Sequence, residues 1–144
     1  MWSDTFQAIE RAHLLRVGAW GAASVLIGTL LLAVVAARRT PAPLLFHFAL
    51  QTAAWGAIDL AIAGWGLTHL STRDFAAATR FDRLLWLNAG LDVGYIAVGA
   101  TLAIAAWQLG RRMGGVGAGL GVIVQGAALL LLDALVLSIL GAGR

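Results

Sequence analysis

The chain has 144 residues, of which 60% are hydrophobic and only 12% are charged. A soluble domain carries about 25% charged residues because its surface must be hydrated, so this composition excludes an ordinary soluble domain. The ten basic residues are scattered near the ends of apolar stretches, which argues against nucleic-acid binding, and the lack of cysteine excludes disulfides and thiolate chemistry.

Four apolar stretches follow one another, and each exceeds the ~20 residues that cross a hydrocarbon core about 30 Å thick. Backbone groups in lipid must be hydrogen-bonded within their own segment, so these stretches are predicted to be helices. We therefore predict an all-α, integral membrane four-helix bundle of the inner or plasma membrane, with one multi-pass domain over residues 1–144. The predicted spans are residues 14–36, 44–67, 84–107 and 116–140.

Two segments outside the spans carry signals for helix starts. Asp4 with Gln7 can cap a helix that runs into the first span, and nothing there resembles a cleaved signal peptide. In the middle connection, Ser71 followed by Asp74 is a capping-box pattern, which predicts that the third helix begins near Thr72.

Four antiparallel crossings place both termini and the middle connection on one membrane face, called side A below. Basic residues near the span ends are more numerous on side A, which favours side A in the cytoplasm. They are denser in the short loops of the opposite face, so the orientation stays open.

Spacing within the spans indicates an internal duplication. Gln51 and Asp59 lie eight residues apart in the second span, and Gln125 and Asp133 lie eight apart in the fourth. This predicts two tandem helical hairpins arranged as parallel repeats, related by an axis along the membrane normal.

Three carboxylates lie inside the spans at similar depths. A rise of 1.5 Å per residue places Asp59 and Asp92 about 12 Å from side A and Asp133 about 10 Å from it. The same estimate places Gln51 and Gln125 in a second layer, roughly 22–24 Å from side A. We therefore predict one layer of acids inside the bundle.

Other polar and aromatic residues lie on the same helix faces. Asn88, Asp92 and Tyr95 follow at i, i+4 and i+7, and Trp55 lies between Gln51 and Asp59. A charge at membrane depth costs at least ~2.5–3.5 kcal/mol, so these faces are predicted to point into the bundle. The candidate ligand-binding or proton site comprises Gln51, Trp55, Asp59, Asn88, Asp92, Tyr95, Gln125 and Asp133.

Few cations are available to neutralise these acids. Only Arg16, on a line with Trp20 and Ser24 in the first span, could reach toward them from the side A boundary. At least one or two of the three acids are therefore expected to be protonated at neutral pH, because sharing protons avoids an uncompensated charge in a medium of low dielectric constant.

The acid cluster has three possible roles. It could hold the helices together by hydrogen bonds, bind a ligand or proton, or bind a metal. His13 and His69 lie at the side A boundary, some ~10 Å above the acids, and His47 lies on the opposite side. Their spacing matches no metal motif, so no metal and no cofactor are predicted.

Two pairs of glycines have GxxxG spacing, which permits close helix contact. They are Gly90 with Gly94 in the third span and Gly117 with Gly121 in the fourth.

Three segments suggest a family. The segments 51–59 (QTAAWGAID), 86–95 (WLNAGLDVGY) and 121–133 (GVIVQGAALLLLD) resemble those of uncharacterised four-span bacterial membrane proteins, which are grouped as a domain of unknown function. The resemblance covers the second to fourth spans. It implies a membrane location and a four-helix architecture, and it implies no activity.

The sequence favours a non-enzymatic membrane protein whose polar cluster binds a small ligand, a lipid headgroup or a proton. The alternative is a proton-coupled transporter or a channel subunit, acting as a homodimer in the lipid bilayer. A membrane enzyme is less favoured because no catalytic residues are recognised. A structural cluster should be packed shut, whereas an enzyme requires a cavity around the acids.

Overall fold

The computed structural model describes residues 2–38, 41–72 and 74–142, apart from the side chain of Trp2. These residues form four α-helices and, within those ranges, no strand. The prediction of an all-α fold with four helices is therefore confirmed. Each helix is long and apolar enough to cross a membrane. The helices are α1 (Trp2–Ala37), α2 (Pro43–Thr68), α3 (Phe75–Gln108) and α4 (Met113–Ala142).

The first helix starts well before the apolar stretch that it contains. Its N-terminal half buries Phe6, Glu10, His13 and Val17 at alternating spacings of three and four residues, which is one face of a helix. The prediction that Asp4 caps this helix is wrong in position, because the helix begins at Trp2 and Asp4 lies inside its first turn. A negative charge there interacts favourably with the helix dipole.

The third helix begins later than the capping-box pattern predicted. Asp74 occupies the N-cap position, and its carboxylate accepts a hydrogen bond of 2.7 Å from the backbone N–H of Ala77. The prediction of a start near Thr72 with Ser71 as the cap is therefore wrong. A short carboxylate at the N-cap satisfies a free backbone donor and also interacts with the positive end of the helix dipole.

Replacing Asp74 tests this assignment. Asp74→Ala should lower the free energy of unfolding by about 0.5–2 kcal/mol, because Ala cannot accept the hydrogen bond from Ala77. Ser71→Ala, three residues earlier in the same connection, should leave thermal stability in detergent unchanged. A larger loss of stability for Ser71→Ala than for Asp74→Ala would instead support Ser71 as the N-cap residue.

The helices pair as two antiparallel hairpins joined along α2 and α4. In the first hairpin, a Cβ atom added to Gly21 of α1 would lie 2.8 Å from the carbonyl oxygen of Gly56 in α2. In the second, one added to Gly99 of α3 would lie 2.7 Å from the carbonyl oxygen of Gly119 in α4. Both hairpins therefore need glycine at these crossings, because the backbones approach too closely for any side chain.

The two hairpins meet where α2 and α4 run in the same direction. Gly117 packs on the backbone of Leu44, and Gly121 packs on the side chain of Gln51 one turn further along. The second predicted glycine pair thus lies at a helix contact. The first does not, because among the described residues nothing comes within 4 Å of a Cβ atom built on Gly90 or Gly94.

One helix, α3, is attached along a single seam. Its buried residues recur every seventh position, the spacing of one narrow contact line, and in the described chain α3 packs its backbone extensively against α4 alone. A gap therefore separates the backbones of α3 and α2, and only side chains reach across it. The buried residues of α3 are Ala78, Leu85, Asp92, Gly99 and Ala106.

A candidate ligand-binding cavity

Three acids from three helices line one cavity of about 300 Å³. Asp59 of α2, Asp92 of α3 and Asp133 of α4 are only 2%, 3% and 5% exposed. Asp92 is close enough to both others for their charges to interact. The structure thus brings together the three carboxylates that the sequence placed in one layer.

Gln125 connects the acid cluster to two other helices. Its side-chain amide lies on α4 and donates a hydrogen bond of 2.5 Å from Nε2 to Oδ2 of Asp59. Its Oε1 accepts a hydrogen bond of 3.0 Å from the indole Nε1 of Trp20 on α1. Because Trp Nε1 can only donate, this bond fixes which end of the amide faces Asp59.

His13 is part of the cluster, which the sequence analysis missed. Its Nε2 lies 3.3 Å from Oδ1 of Asp133, and the imidazole is only 7% exposed. The sequence estimate placed His13 ~10 Å above the acids, and its contact with Asp133 shows that this separation is wrong. In the structure α1 already extends about three turns before His13. The spacing of Phe6, Glu10 and His13 on one face would have indicated burial.

Two polar atoms in this region have no hydrogen-bond partner. They are Oδ2 of Asp92 and Nδ1 of His13, both fully buried. A buried polar group without a partner costs about 1–3 kcal/mol, so most native interiors avoid it. Because Asp92 and His13 both line the cavity, these two buried atoms mark the part of it where a ligand atom, a water molecule or a proton could be held.

The other candidate residues divide into two groups. Trp55, Asn88 and Tyr95 line the cavity, and the rings of Trp55 and Tyr95 lie 5.3 Å apart across the gap between α2 and α3. Asn88 is exposed at the edge of the cavity, so the prediction that it points into the bundle is wrong for this residue. Gln51 lies away from the cavity and packs on Gly121. Gln125 contacts the cluster through Asp59 rather than through the cavity wall.

The remaining histidines lie elsewhere. His69 stacks on Trp65 at the end of α2, with ring centroids 4.0 Å apart. The Nδ1 of His47 lies 2.9 Å from the backbone oxygen of Pro43. Within the described ranges, no three His, Asp or Glu side chains are grouped so that they could hold a metal ion. The arrangement can hold protons, accept hydrogen bonds and attract positive charge.

Comparison with known proteins identifies a family and no activity. The model of a family of unknown function, DUF6992, matches residues 16–134. No curated protein and no solved structure matches the chain. All three cavity acids lie inside the matched range, whereas His13 lies just before it. The match covers most of the 144 residues, so the chain belongs to the DUF6992 family.

Proposed function

We propose that this is a non-enzymatic, multi-pass protein of the inner or plasma membrane, whose polar cluster binds a small ligand, a lipid headgroup or a proton. One observation carries the proposal. Three aspartates line the cavity, and Oδ2 of one of them, Asp92, is a buried atom without a hydrogen-bond partner in the described residues.

The cavity separates this function from a purely structural role. A cluster that only holds helices together should be packed shut, with each polar atom hydrogen-bonded to a neighbouring helix. Here about 300 Å³ remains open around the acids, a volume at the lower end of the range for small-ligand sites. A binding role accounts for both the open volume and the unpartnered oxygen.

The alternative is a proton-coupled transporter or a channel subunit, working as a homodimer. His13 beside Asp133, with Asp92 nearby, supports it, because such groups can pass a proton along a short path. The open cavity also meets the condition for an enzyme, but no residue set with nucleophile and base roles is recognised in its wall, so an enzyme is the less favoured alternative.

The duplication remains part of the proposal. The parallel contact between α2 and α4 supports it, since these are the helices that carry the repeated Gln–Asp spacing. The two glutamines nevertheless have different partners, so the halves have diverged at the site.

Asp92→Asn tests the proposed function. Asn keeps the size of the side chain and removes the titratable oxygen, so the variant should insert and melt like the wild type in detergent. In a strain whose own gene has been deleted, it should fail to restore growth under a condition where the wild type does. Asp82→Asn is the matched control, since Asp82 lies on the same helix outside the cavity wall.

The same two measurements can reject the proposal. If Asp59→Asn, Asp92→Asn and Asp133→Asn all match the wild type in melting and in growth, the acids serve only helix packing.

A further inference from the structure

The cavity opens sideways, between α2 and α3. Four of its apolar wall residues are 46–58% exposed and stand on the two sides of this gap, and the wall residue Asn88 of α3 is exposed as well. The wall residues from α1 and α4 are buried or half-buried, so these helices form the floor. The four apolar residues are Ile58 and Ile62 on α2, and Leu84 and Leu91 on α3. The opening therefore lies on a flank of the bundle that is apolar except for Asn88, the surface that a bilayer would cover.

The cavity is long and narrow. Its wall on α3 runs from Phe81 to Tyr95, roughly 20 Å at 1.5 Å per residue. Toward side A, Phe81 packs edge-on against Phe6, and toward the other end Tyr95 faces Trp55. A volume of about 300 Å³ spread over this length accommodates one alkyl chain with a small head group, and not a lipid with two chains.

The charge of the wall selects the head group. Three aspartates line the cavity, and no Lys or Arg is among the described residues in its wall. Arg16 lies near enough to His13 for its charge to act there, but it is not part of the wall. The unpartnered Oδ2 of Asp92 calls for a hydrogen-bond donor. A positively charged hydrogen-bond donor would both complement the acidic wall and supply the donor that Asp92 lacks.

We infer that the ligand is a single-chain amphiphile with a small ammonium head group, which enters from the bilayer through the gap between α2 and α3. The inference rests on the proposed function. The ammonium N–H donates to Asp92, and the rings of Trp55 and Tyr95 offer π faces that attract a cation. The alkyl chain lies along the apolar wall, whose exposed part is continuous with the lipid.

Three amphiphiles with the same chain test the head group. Decylammonium, decanol and decanoate are titrated, below solubilising concentrations, into the protein in nanodiscs of zwitterionic lipid, and heats are measured. Protein-free nanodiscs of the same lipid supply the background, so that partition into lipid cancels, and the Asp92→Asn protein is titrated in the same way. Only decylammonium should show saturable binding, and Asp92→Asn should weaken it about tenfold or more, the effect of losing a charged hydrogen-bond partner. Asp82→Asn should keep the wild-type affinity.

A second pair of variants tests the route and leaves every carboxyl group in place. Ile62→Trp puts a large ring at the mouth and should reduce decylammonium binding in the same titration. Leu50→Trp places the same ring on an exposed part of α2 outside the cavity wall and should not. This pair also tests the inference if Asp92→Asn does not fold.

The outcomes separate this inference from the proposed function. Binding of decanol or decanoate that depends on Asp92 and equals that of decylammonium overturns the cationic head group and leaves a ligand site standing. If none of the three amphiphiles shows binding that depends on Asp92, the inference is overturned. The growth assay tests the proposed function separately. Equal losses in Ile62→Trp and Leu50→Trp overturn entry through the gap.

Discussion

Gly56→Ala should strongly destabilise the protein, although it adds a single methyl group. A Cβ atom at Gly56 would lie 2.6 Å from Cβ of Ser24, 2.7 Å from the carbonyl oxygen of Gly21 and 2.8 Å from the backbone nitrogen of Val25. Two of these are backbone atoms of α1, so no rotamer change relieves the clash and the helices must separate. Overpacking of this kind typically lowers the free energy of unfolding by about 1–3 kcal/mol. We expect a loss near the upper end of this range for Gly56→Ala.

The control for this substitution lies on the same helix. Nothing in the described structure is within 4 Å of a Cβ atom built on Gly64, so Gly64→Ala should melt at or above the wild-type temperature. Thermal unfolding of both variants in the same detergent measures the difference. Equal melting temperatures would show that α1 and α2 do not approach as closely as described.

Gln125→Leu should be the most damaging polar substitution outside the cavity wall. It removes the donor to Asp59 and the acceptor for Trp20 together, while Leu keeps much of the volume. The buried carboxyl group and the indole N–H are then both left without this partner. The buried carboxyl group costs about 1–3 kcal/mol when unpaired and the part-buried indole costs less, so the melting temperature should fall by several degrees.

Gln51→Leu is the control, because Gln51 holds the corresponding position in the first half of the chain. Within the described residues its side chain packs on Gly121 and makes no hydrogen bond, so Leu should be tolerated. If Gln51→Leu and Gln125→Leu lower the melting temperature equally, then Gln125 does not have the bridging role described above.

The sequence by itself determined the helices and part of the cavity. Four apolar stretches of more than twenty residues leave the backbone one way to satisfy its hydrogen bonds in an apolar surrounding. Charged groups in such helices must avoid lipid, so counting residues along each helix was enough to place Asp59, Asp92 and Asp133 together. Both steps depend only on helix geometry, which is the same in every helix.

The tertiary structure decided which partner each group has. Gln51 and Gln125 have the same spacing to an aspartate, yet only Gln125 lies where Asp59 and Trp20 meet. Gly90 and Gly94 have the spacing of a helix contact but face open space, because α3 packs along a different face. The rotation of each helix about its own axis decides which of its residues face a neighbouring helix. That rotation is set by packing between helices, not by spacing along one helix.

The position of His13 and the shape of the cavity also required the tertiary structure. The sequence shows where a hydrophobic stretch begins, but α1 continues as a packed helix beyond it, so His13 lies beside Asp133. The gap between α2 and α3 arises because α3 is attached along one seam only. Spacing along a single helix contains no information on a gap between two helices, since that gap depends on how far apart their axes lie.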